Sequence, residues 1–274
     1  MSWGAEGFII PPMADITGYV VYQEPPRRPL TARNLEDYAL CPQKFLLSFF
    51  VPRGQAERFR GGPAALQQAV RGALVECYRQ GGPPAVPVER LLAGFETAWD
   101  GSLCADTLEE EQLHAQGRRM LSEYHAQHQA EPVRAVANDL RLEAGIGEHR
   151  FVAVADRVDE AEGGLLTLLR YRTAREVPGP RALGREASVA LLLLGGEAHF
   201  ARPAQVGVCA VRRGQLVLAE ISDAQRTEWE ARLAAQAEAL RRAQEYPTRV
   251  GRHCQVCRSR AQCPAWARPP EGSR

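Results

Sequence analysis

Lysine is almost absent from this 274-residue chain, because Lys44 is the only lysine among its 34 basic side chains. An arginine at a position where lysine would serve can therefore reflect this composition as readily as function. The chain also lacks a basic leader ahead of an apolar segment. No apolar run approaches the roughly 18 residues that a membrane span requires. We therefore expect a cytoplasmic protein with no membrane contact.

The composition is otherwise that of an ordinary globular protein. Hydrophobic residues make up 45% of the chain and the formal net charge is +1, which allows one large core or two small ones. Charge is unevenly placed, however, since the segment from Arg249 to Arg274 carries six arginines and the single acid Glu271. Such a basic segment suits a phosphate backbone, although a solvated arginine-rich tail would have the same composition.

Four of the seven cysteines form a separated pattern. Cys254, Cys257 and Cys263 are spaced C-x2-C-x5-C, and Cys41 precedes a proline far upstream. In a reducing compartment such thiols indicate metal or redox chemistry rather than disulfides. Four thiolates suit an iron–sulfur cluster or a structural zinc equally, and the C-terminal three with His253 would also suit zinc. One centre bound by all four would clasp the two ends of the chain together.

The remaining patterns predict an α/β order. Residues 1–30 form a proline-rich arm, Thr31 caps a first helix, and helical patterns continue through an insertion at about 85–131. Three strands are then predicted at 136–143, 150–159 and 165–173, followed by a helix at 181–194, a strand at 206–211 with a hairpin partner at 216–221, and a final helix from Ser222. The order of helix, three strands, helix and strand predicts one domain over 31–266 with a tail at 267–274.

This order and the cysteines resemble the PD-(D/E)XK nuclease superfamily, and more narrowly its iron–sulfur RecB-like branch, which includes the CRISPR adaptation exonucleases and AddB-type nuclease domains. The branch begins with a capped helix that runs into tyrosine, Cys-Pro and lysine–phenylalanine, matched here by Thr31, Tyr38, Cys41-Pro42 and Lys44-Phe45. Its C-x2-C-x5-C matches the C-terminal cysteines. The resemblance implies a restriction-endonuclease-like core and a 4Fe-4S cluster bound by Cys41, Cys254, Cys257 and Cys263.

The catalytic motifs of that family are altered in this chain. Its strand aspartate aligns with Asp156, but its acid-x-lysine pair aligns with Arg170 and Arg172, and its helical histidine aligns with Glu76. Hydrolysis needs carboxylates that bind Mg or Mn, and a fixed guanidinium charge beside the ion repels it. We therefore expect a degenerate centre in which Asp156 forms a salt bridge with Arg170 or Arg172.

A relocated metal site is the alternative interpretation. Glu76, Glu143, Asp156 and Asp159 could converge on Mg or Mn and preserve exonuclease activity. Against this, residues three apart on a strand point to opposite faces of the sheet, which separates Asp159 from Asp156.

The expected role is DNA binding or scaffolding in repair or recombination. The candidate phosphate contacts are Arg33, Lys44, Arg249, Arg252, Arg258 and Arg260. A different class stays open, namely a structural subunit that docks on a helicase or an active nuclease and makes no DNA contact.

Overall fold

The computed structural model describes residues 28–50, 61–243, 245–257 and 259–266. Most of the predicted arm at 1–30 and the whole tail at 267–274 lie outside these residues. The chain divides into two compact units. Unit 1 comprises 1–59, 146–150 and 231–274, and unit 2 comprises 60–145 and 151–230. The single domain expected over 31–266 stays a prediction.

Unit 1 begins with two short helices, as predicted. Helix α1 (Ala32–Leu40) is capped by Thr31, whose hydroxyl accepts a hydrogen bond from the Asn34 N–H at 3.2 Å. The Asn34 side chain accepts in return from the Thr31 N–H at 2.9 Å, which satisfies two donors that the helix itself cannot. Helix α2 (Pro42–Phe49) starts on a proline, which needs no amide partner in a first turn. Cys41 is the extended residue between the two helices.

An aromatic cluster forms the core of unit 1. Phe45 and Phe50 are fully buried, and the ring of Tyr246 packs against them with centroid distances of 6.2 and 5.9 Å. Tyr38 adds an edge contact with Tyr246 at 6.4 Å. Burial, and the nearby Tyr38 hydroxyl, raise the pKa of Tyr246 to about 12. Ring packing therefore holds the segment that contains Tyr246 against the first two helices.

Three longer helices open unit 2. They are α3 (Gly62–Arg79), α4 (Val88–Ala98) and α5 (Thr107–His128), and the last two fall within the predicted helical insertion. Asp106 caps α5 by accepting a hydrogen bond from the Glu109 N–H at 2.8 Å. Leu74, Phe95 and Leu121, one from each helix, are fully buried in a shared core, so packing of apolar faces holds the three helices together.

A five-stranded sheet follows, in the order β1-β2-β3-β4-β5. The strands are β1 (Ala135–Ile146), β2 (His149–Glu160), β3 (Leu166–Arg172), β4 (Ala204–Ala210) and β5 (Gln215–Leu218). Strand β3 is antiparallel to β2 and parallel to β4, and β5 is antiparallel to β4. A parallel pair needs a crossover, which helices between β3 and β4 supply. The predicted α/β core is confirmed.

The crossover differs from prediction, because the helix expected at 181–194 is two helices, α6 (Pro180–Leu183) and α7 (Ala187–Phe200). A Cβ at Gly184 would lie 2.1 Å from the Glu220 carbonyl oxygen, so a close tertiary approach stops α6 there. The Glu220 N–H donates to the Pro180 carbonyl at 3.0 Å, which also explains why β5 ends at Leu218 rather than Ile221.

Helix α8 (Asp223–Arg242) begins at the predicted Ser222, which shares a capping box with Gln225. Within the described ranges, no helix is both long and apolar enough to cross a membrane.

Candidate functional site

Asp156 lies where strands β2 and β3 separate. The antiparallel pairing runs from Glu160 opposite Leu166 to Arg157 opposite Leu169, and continuing it by one residue would place Asp156 opposite Arg170. Instead, Asp156 Oδ2 accepts a hydrogen bond from the Tyr171 N–H at 2.7 Å. The carboxylate therefore satisfies a buried backbone donor that the sheet has left free, and its side chain is 1% exposed.

Arg71, on helix α3, is the main charge partner of Asp156. Its Nε donates to Asp156 Oδ1 at 2.6 Å, and its Nη2 donates to Asp139 Oδ1. Burial alone would lower the pKa of Arg71, but the charges and hydrogen bonds of Asp156 and Asp139 raise it. Asp139 has a φ of 54° within β1, a conformation uncommon for residues with a side chain. One guanidinium thus bridges carboxylates from two neighbouring strands.

The two arginines at the acid-x-lysine positions have different surroundings. Arg170 Nε lies 3.6 Å from Asp156 Oδ2, so the expected salt bridge to Arg170 is present. Arg172 pairs instead with Glu186, through both of its terminal nitrogens. The reason is the break before α7, which brings the Glu186 carboxylate to Arg172. We call Asp156, Arg71, Asp139 and Arg170 the Asp156 cluster.

Sequence reasoning missed Arg71 and Asp139. The available signal was the pair Gln67 and Arg71, two polar residues one turn apart in a helix whose other residues are largely apolar. Gln67 Nε2 donates to the Tyr171 carbonyl at 2.8 Å, and its Oε1 accepts from the Thr173 N–H at 2.9 Å. Polar side chains at this spacing share a helix face, and here that face meets the end of β3.

The other carboxylates of the relocated-site alternative have partners of their own. Glu76 is exposed and accepts from Gln80 Nε2 at 2.6 Å, a hydrogen bond that lowers the pKa of Glu76. Glu143 is exposed and lies 3.6 Å from Arg141. In the part of the chain that the structure describes, no three His, Cys, Asp or Glu side chains are placed to hold a metal ion. The relocated site stays a prediction.

Asp159 belongs to a buried network around Arg157. Its Oδ2 accepts from Arg157 Nη2 at 2.7 Å, and burial raises the pKa of Asp159. The Arg157 guanidinium lies 3.8 Å from the centroid of the Tyr78 ring and 3.3 Å from the Tyr171 hydroxyl. Cation–π contact and hydrogen bonds compensate for burying this charge, so the network has a structural explanation.

The four predicted cysteine ligands line one pocket of unit 1. Cys41 enters from the α1–α2 junction, and Cys254, Cys257 and Cys263 enter from the C-terminal segment. The Arg249 N–H lies 3.4 Å from Cys41 Sγ, and the Gly251 N–H lies 3.4 Å from Cys254 Sγ. Burial, and the charges of Cys41 and Cys257, raise the pKa of Cys263. We call this site the cysteine pocket.

The donor set of the cysteine pocket suits a thiolate-bound group. Its sulfur atoms receive backbone hydrogen bonds, which stabilise thiolates and tune iron–sulfur clusters. Lys44, Arg249 and Arg260 also line the pocket. Of the three other cysteines, Cys77 and Cys209 are buried, whereas Cys104 is only half-buried.

The candidate phosphate contacts form two groups. Arg33 and Lys44 pair with the buried Asp37 at 2.9 and 2.8 Å. Arg249, Arg252 and Arg260 are exposed. Arg249 Nη1 donates to the Ala39 carbonyl at 2.7 Å, and the Arg260 guanidinium lies 4.4 Å from the Trp266 ring centroid. Arg258 lies outside the described residues.

Comparison with known proteins agrees with this architecture. A family model described as the PD-(D/E)XK nuclease superfamily matches residues 29–264. A crystal structure from Eubacterium rectale, assigned as an exonuclease, superposes with a TM-score of 0.53 at 10% identity and covers 83% of this chain and 87% of that one. The structure of SSO0001 gives a TM-score of 0.35 at 14% identity, covering 86% and 96%. No curated protein matches. Since the family model matches residues 29–264, which is most of the chain, the chain belongs to the PD-(D/E)XK nuclease superfamily.

Proposed function

We propose that this protein binds DNA through a nuclease fold whose hydrolytic centre has been replaced by an ion-pair cluster, and that it serves a repair or recombination assembly. The observation that carries the proposal is the position of Arg71. Its guanidinium bonds to Asp156 and Asp139, so the strand carboxylate expected to bind a metal already has a cation.

The charges of the Asp156 cluster oppose metal binding in two ways. Both oxygens of Asp156 accept hydrogen bonds, from Arg71 and from the Tyr171 N–H. The position of a second metal carboxylate is Arg170, whose charge lies 3.6 Å from Asp156. Mg²⁺ and Mn²⁺ require several oxygen ligands, and here one ligand is lost and a repelling charge is gained.

A nuclease assay tests this part of the proposal. We expect no cleavage of single- or double-stranded DNA with magnesium or manganese. Metal-dependent cutting that Asp156→Ala abolishes, while folding and DNA binding are retained, would contradict it and favour the relocated site at Glu76, Glu143, Asp156 and Asp159.

The four cysteines of the cysteine pocket would hold a 4Fe-4S cluster. A single zinc needs all four sulfurs about 2.3 Å from one centre, whereas each thiolate of a four-iron cluster binds a different iron. The resemblance of the cysteine pattern to the iron–sulfur branch favours the cluster, and zinc bound by the same four cysteines is the alternative. Such a cluster would supply a cross-link between Cys41 and the C-terminal segment. Its test is the iron content and visible absorption of anaerobically purified protein, for which one zinc per chain and no colour is the contrary result.

Exposed arginines of unit 1 would supply the DNA contacts. Arg249, Arg252 and Arg260 are all exposed, and Trp266, beside Arg260, is 43% exposed. Guanidinium groups bind phosphate oxygens in pairs of hydrogen bonds. Arg33 and Lys44 contribute less, because the Asp37 carboxylate already compensates their charges. Arg258 remains a candidate on sequence alone.

Salt dependence distinguishes DNA binding from the alternative role as a docking subunit. Each neutralised phosphate changes the slope of log K against log salt by about −0.9 for duplex DNA. Replacing Arg249, Arg252 and Arg260 together by glutamine should reduce the slope by roughly 3. A protein that binds a helicase or nuclease subunit, and no DNA at any salt concentration, would be a structural subunit instead.

A further inference from the structure

Arg170 differs from Arg71 and Arg172 in its contacts with carboxylates. Arg71 and Arg172 donate hydrogen bonds to carboxylates. Among the described residues Arg170 has only the 3.6 Å ion pair with Asp156 Oδ2, and its Nε is buried without a hydrogen-bond acceptor. Its side chain is nevertheless 41% exposed. The outer end of this guanidinium can therefore reach a ligand that arrives from solvent.

The ligand that fits is an anion. The carboxylate nearest to Arg170 is Asp156, and both oxygens of that carboxylate already accept hydrogen bonds, from Arg71 and from the Tyr171 N–H. Asp139 is bound by Arg71 as well. A cation entering here would meet carboxylates that already have partners. An anion would meet the exposed outer end of the Arg170 guanidinium, which among the described residues makes only the 3.6 Å ion pair at its Nε.

We propose that the former metal position is now a phosphate-binding site in which Arg170 is the contacting residue. This inference rests on the proposed function for the source of the phosphate, which is the DNA backbone. Where a catalytic relative would bind phosphate oxygens through a metal, Arg170 binds one directly, and the planar guanidinium matches the two oxygens of a phosphodiester. Arg71 is a positioning residue, because it donates to Asp156 and Asp139 and compensates the charges of the two carboxylates.

The first test is the salt dependence of binding to a 20-base-pair duplex by three variants. Arg170→Gln should weaken binding roughly tenfold and reduce the salt slope by about 0.9, the value for one phosphate contact. Arg170→Lys should keep the slope. Arg202→Gln is the matched control, because Arg202 is 42% exposed in the same unit but donates to Glu160 at 2.8 Å. If duplex binds and Arg170→Gln behaves like Arg202→Gln, the inference is wrong while the proposed function stands.

The second test observes the site directly and needs no DNA. The arginine Nε–H signal that is missing from the NMR spectrum of Arg170→Gln belongs to Arg170, and inorganic phosphate should move it while leaving the Arg202 signal in place. If phosphate moves the signal but no DNA binds, the site takes a free phosphate compound and DNA binding fails instead. If DNA binds but neither DNA nor phosphate moves the Arg170 signal, only this inference is wrong, and if no DNA binds either, both proposals are wrong. Thermal unfolding of Arg170→Gln checks that the variant is folded.

Discussion

The polar atoms of the Asp156 cluster in unit 2 and of the cysteine pocket in unit 1 have opposite surroundings. In the Asp156 cluster, the buried carboxylate accepts from a guanidinium at 2.6 Å and from a backbone N–H at 2.7 Å. In the cysteine pocket, four thiols share one cavity with basic side chains. The first site supplies its own cation, and the second presents donor atoms to a ligand.

Under the proposed function, the cysteine pocket has kept its ligand set and the Asp156 cluster has lost one. A buried carboxylate without a metal needs another partner, and the protein provides Arg71. A cysteine is apolar enough to be buried without a strong partner, so an empty thiol site costs the fold little stability. Metal binding at such a site would increase the free energy of unfolding strongly. The residues around each site thus indicate which ligand the fold still requires.

The largest expected effect tests the cysteine pocket. Cys41→Ser should remove one cluster ligand and open a loop closed across the 213 positions between Cys41 and Cys254. A cross-link over a loop of this length is worth about 5 kcal/mol in the loop-entropy model. The unfolding midpoint should therefore fall by roughly 10 °C or more, measured by thermal unfolding under anaerobic conditions. Cys104→Ser, outside the pocket, is the control, and an unchanged midpoint in Cys41→Ser would show that Cys41 is not a ligand.

The next effect tests the Asp156 cluster. Asp156→Ala removes the acceptor of the Tyr171 N–H and leaves Arg71 with Asp139 alone, so the free energy of unfolding should fall by about 2–4 kcal/mol. Asp156→Asn should cost less, because an amide oxygen can still accept from Tyr171. Denaturant unfolding measures both changes. Glu143→Ala on β1 is the control and should stay within about 0.5 kcal/mol of the parent. If Asp156→Ala leaves the free energy of unfolding unchanged, the carboxylate is kept for a ligand rather than for stability.

A smaller effect concerns the aromatic core of unit 1. Burial raises the pKa of Tyr246 to about 12, from an ordinary value of 10.0. The unfolded chain therefore releases this proton first, so the stability contributed below pH 10 is lost as pH rises toward 12. The loss should reach up to about 2 kcal/mol. The difference between parent and Tyr246→Phe, measured by denaturant unfolding from pH 9 to 12, isolates it. If the free energies of unfolding of the parent and of Tyr246→Phe change in parallel with pH, the Tyr246 hydroxyl is solvated in the folded protein.

Local patterns were enough to predict the elements that carry both sites. Thr31 was predicted to cap α1 because cap chemistry is local, and the strand predicted at 150–159 contains Asp156. The single helix predicted at 181–194 was wrong, because the structure has two helices there, separated around Gly184. A Cβ at Gly184 would meet the carbonyl oxygen of Glu220, 36 positions along the chain, and local patterns do not show such a tertiary approach.

Partner choice inside the Asp156 cluster could not be predicted in the same way. Arg71 and Asp156 are 85 positions apart, and their contact depends on how α3 is aligned with the end of β2. Asp156 was expected to form a salt bridge with Arg170 or Arg172. Arg172 pairs with Glu186, and Arg71 donates to Oδ1 of Asp156. Which residues form ion pairs depends on distances in the folded protein, and the spacing of residues in the sequence does not give these distances.

The smallest expected effect is on DNA cleavage, when the family's metal-binding motif is rebuilt beside Asp156. Arg170→Asp with Arg172→Lys restores the acid-x-lysine motif beside Asp156, yet we expect no measurable cleavage of DNA with magnesium or manganese. Arg71 would still bond to Asp156, Glu76 would still stand in the histidine position, and Arg172→Lys would leave Glu186 without its two-nitrogen partner. Adding Arg71→Gln frees the carboxylates, and only that triple variant should bind Mn²⁺ detectably by calorimetry. If the double variant alone binds Mn²⁺ as well as the triple variant does, Arg71 is not what excludes the metal, and the charge of Arg170 alone is sufficient.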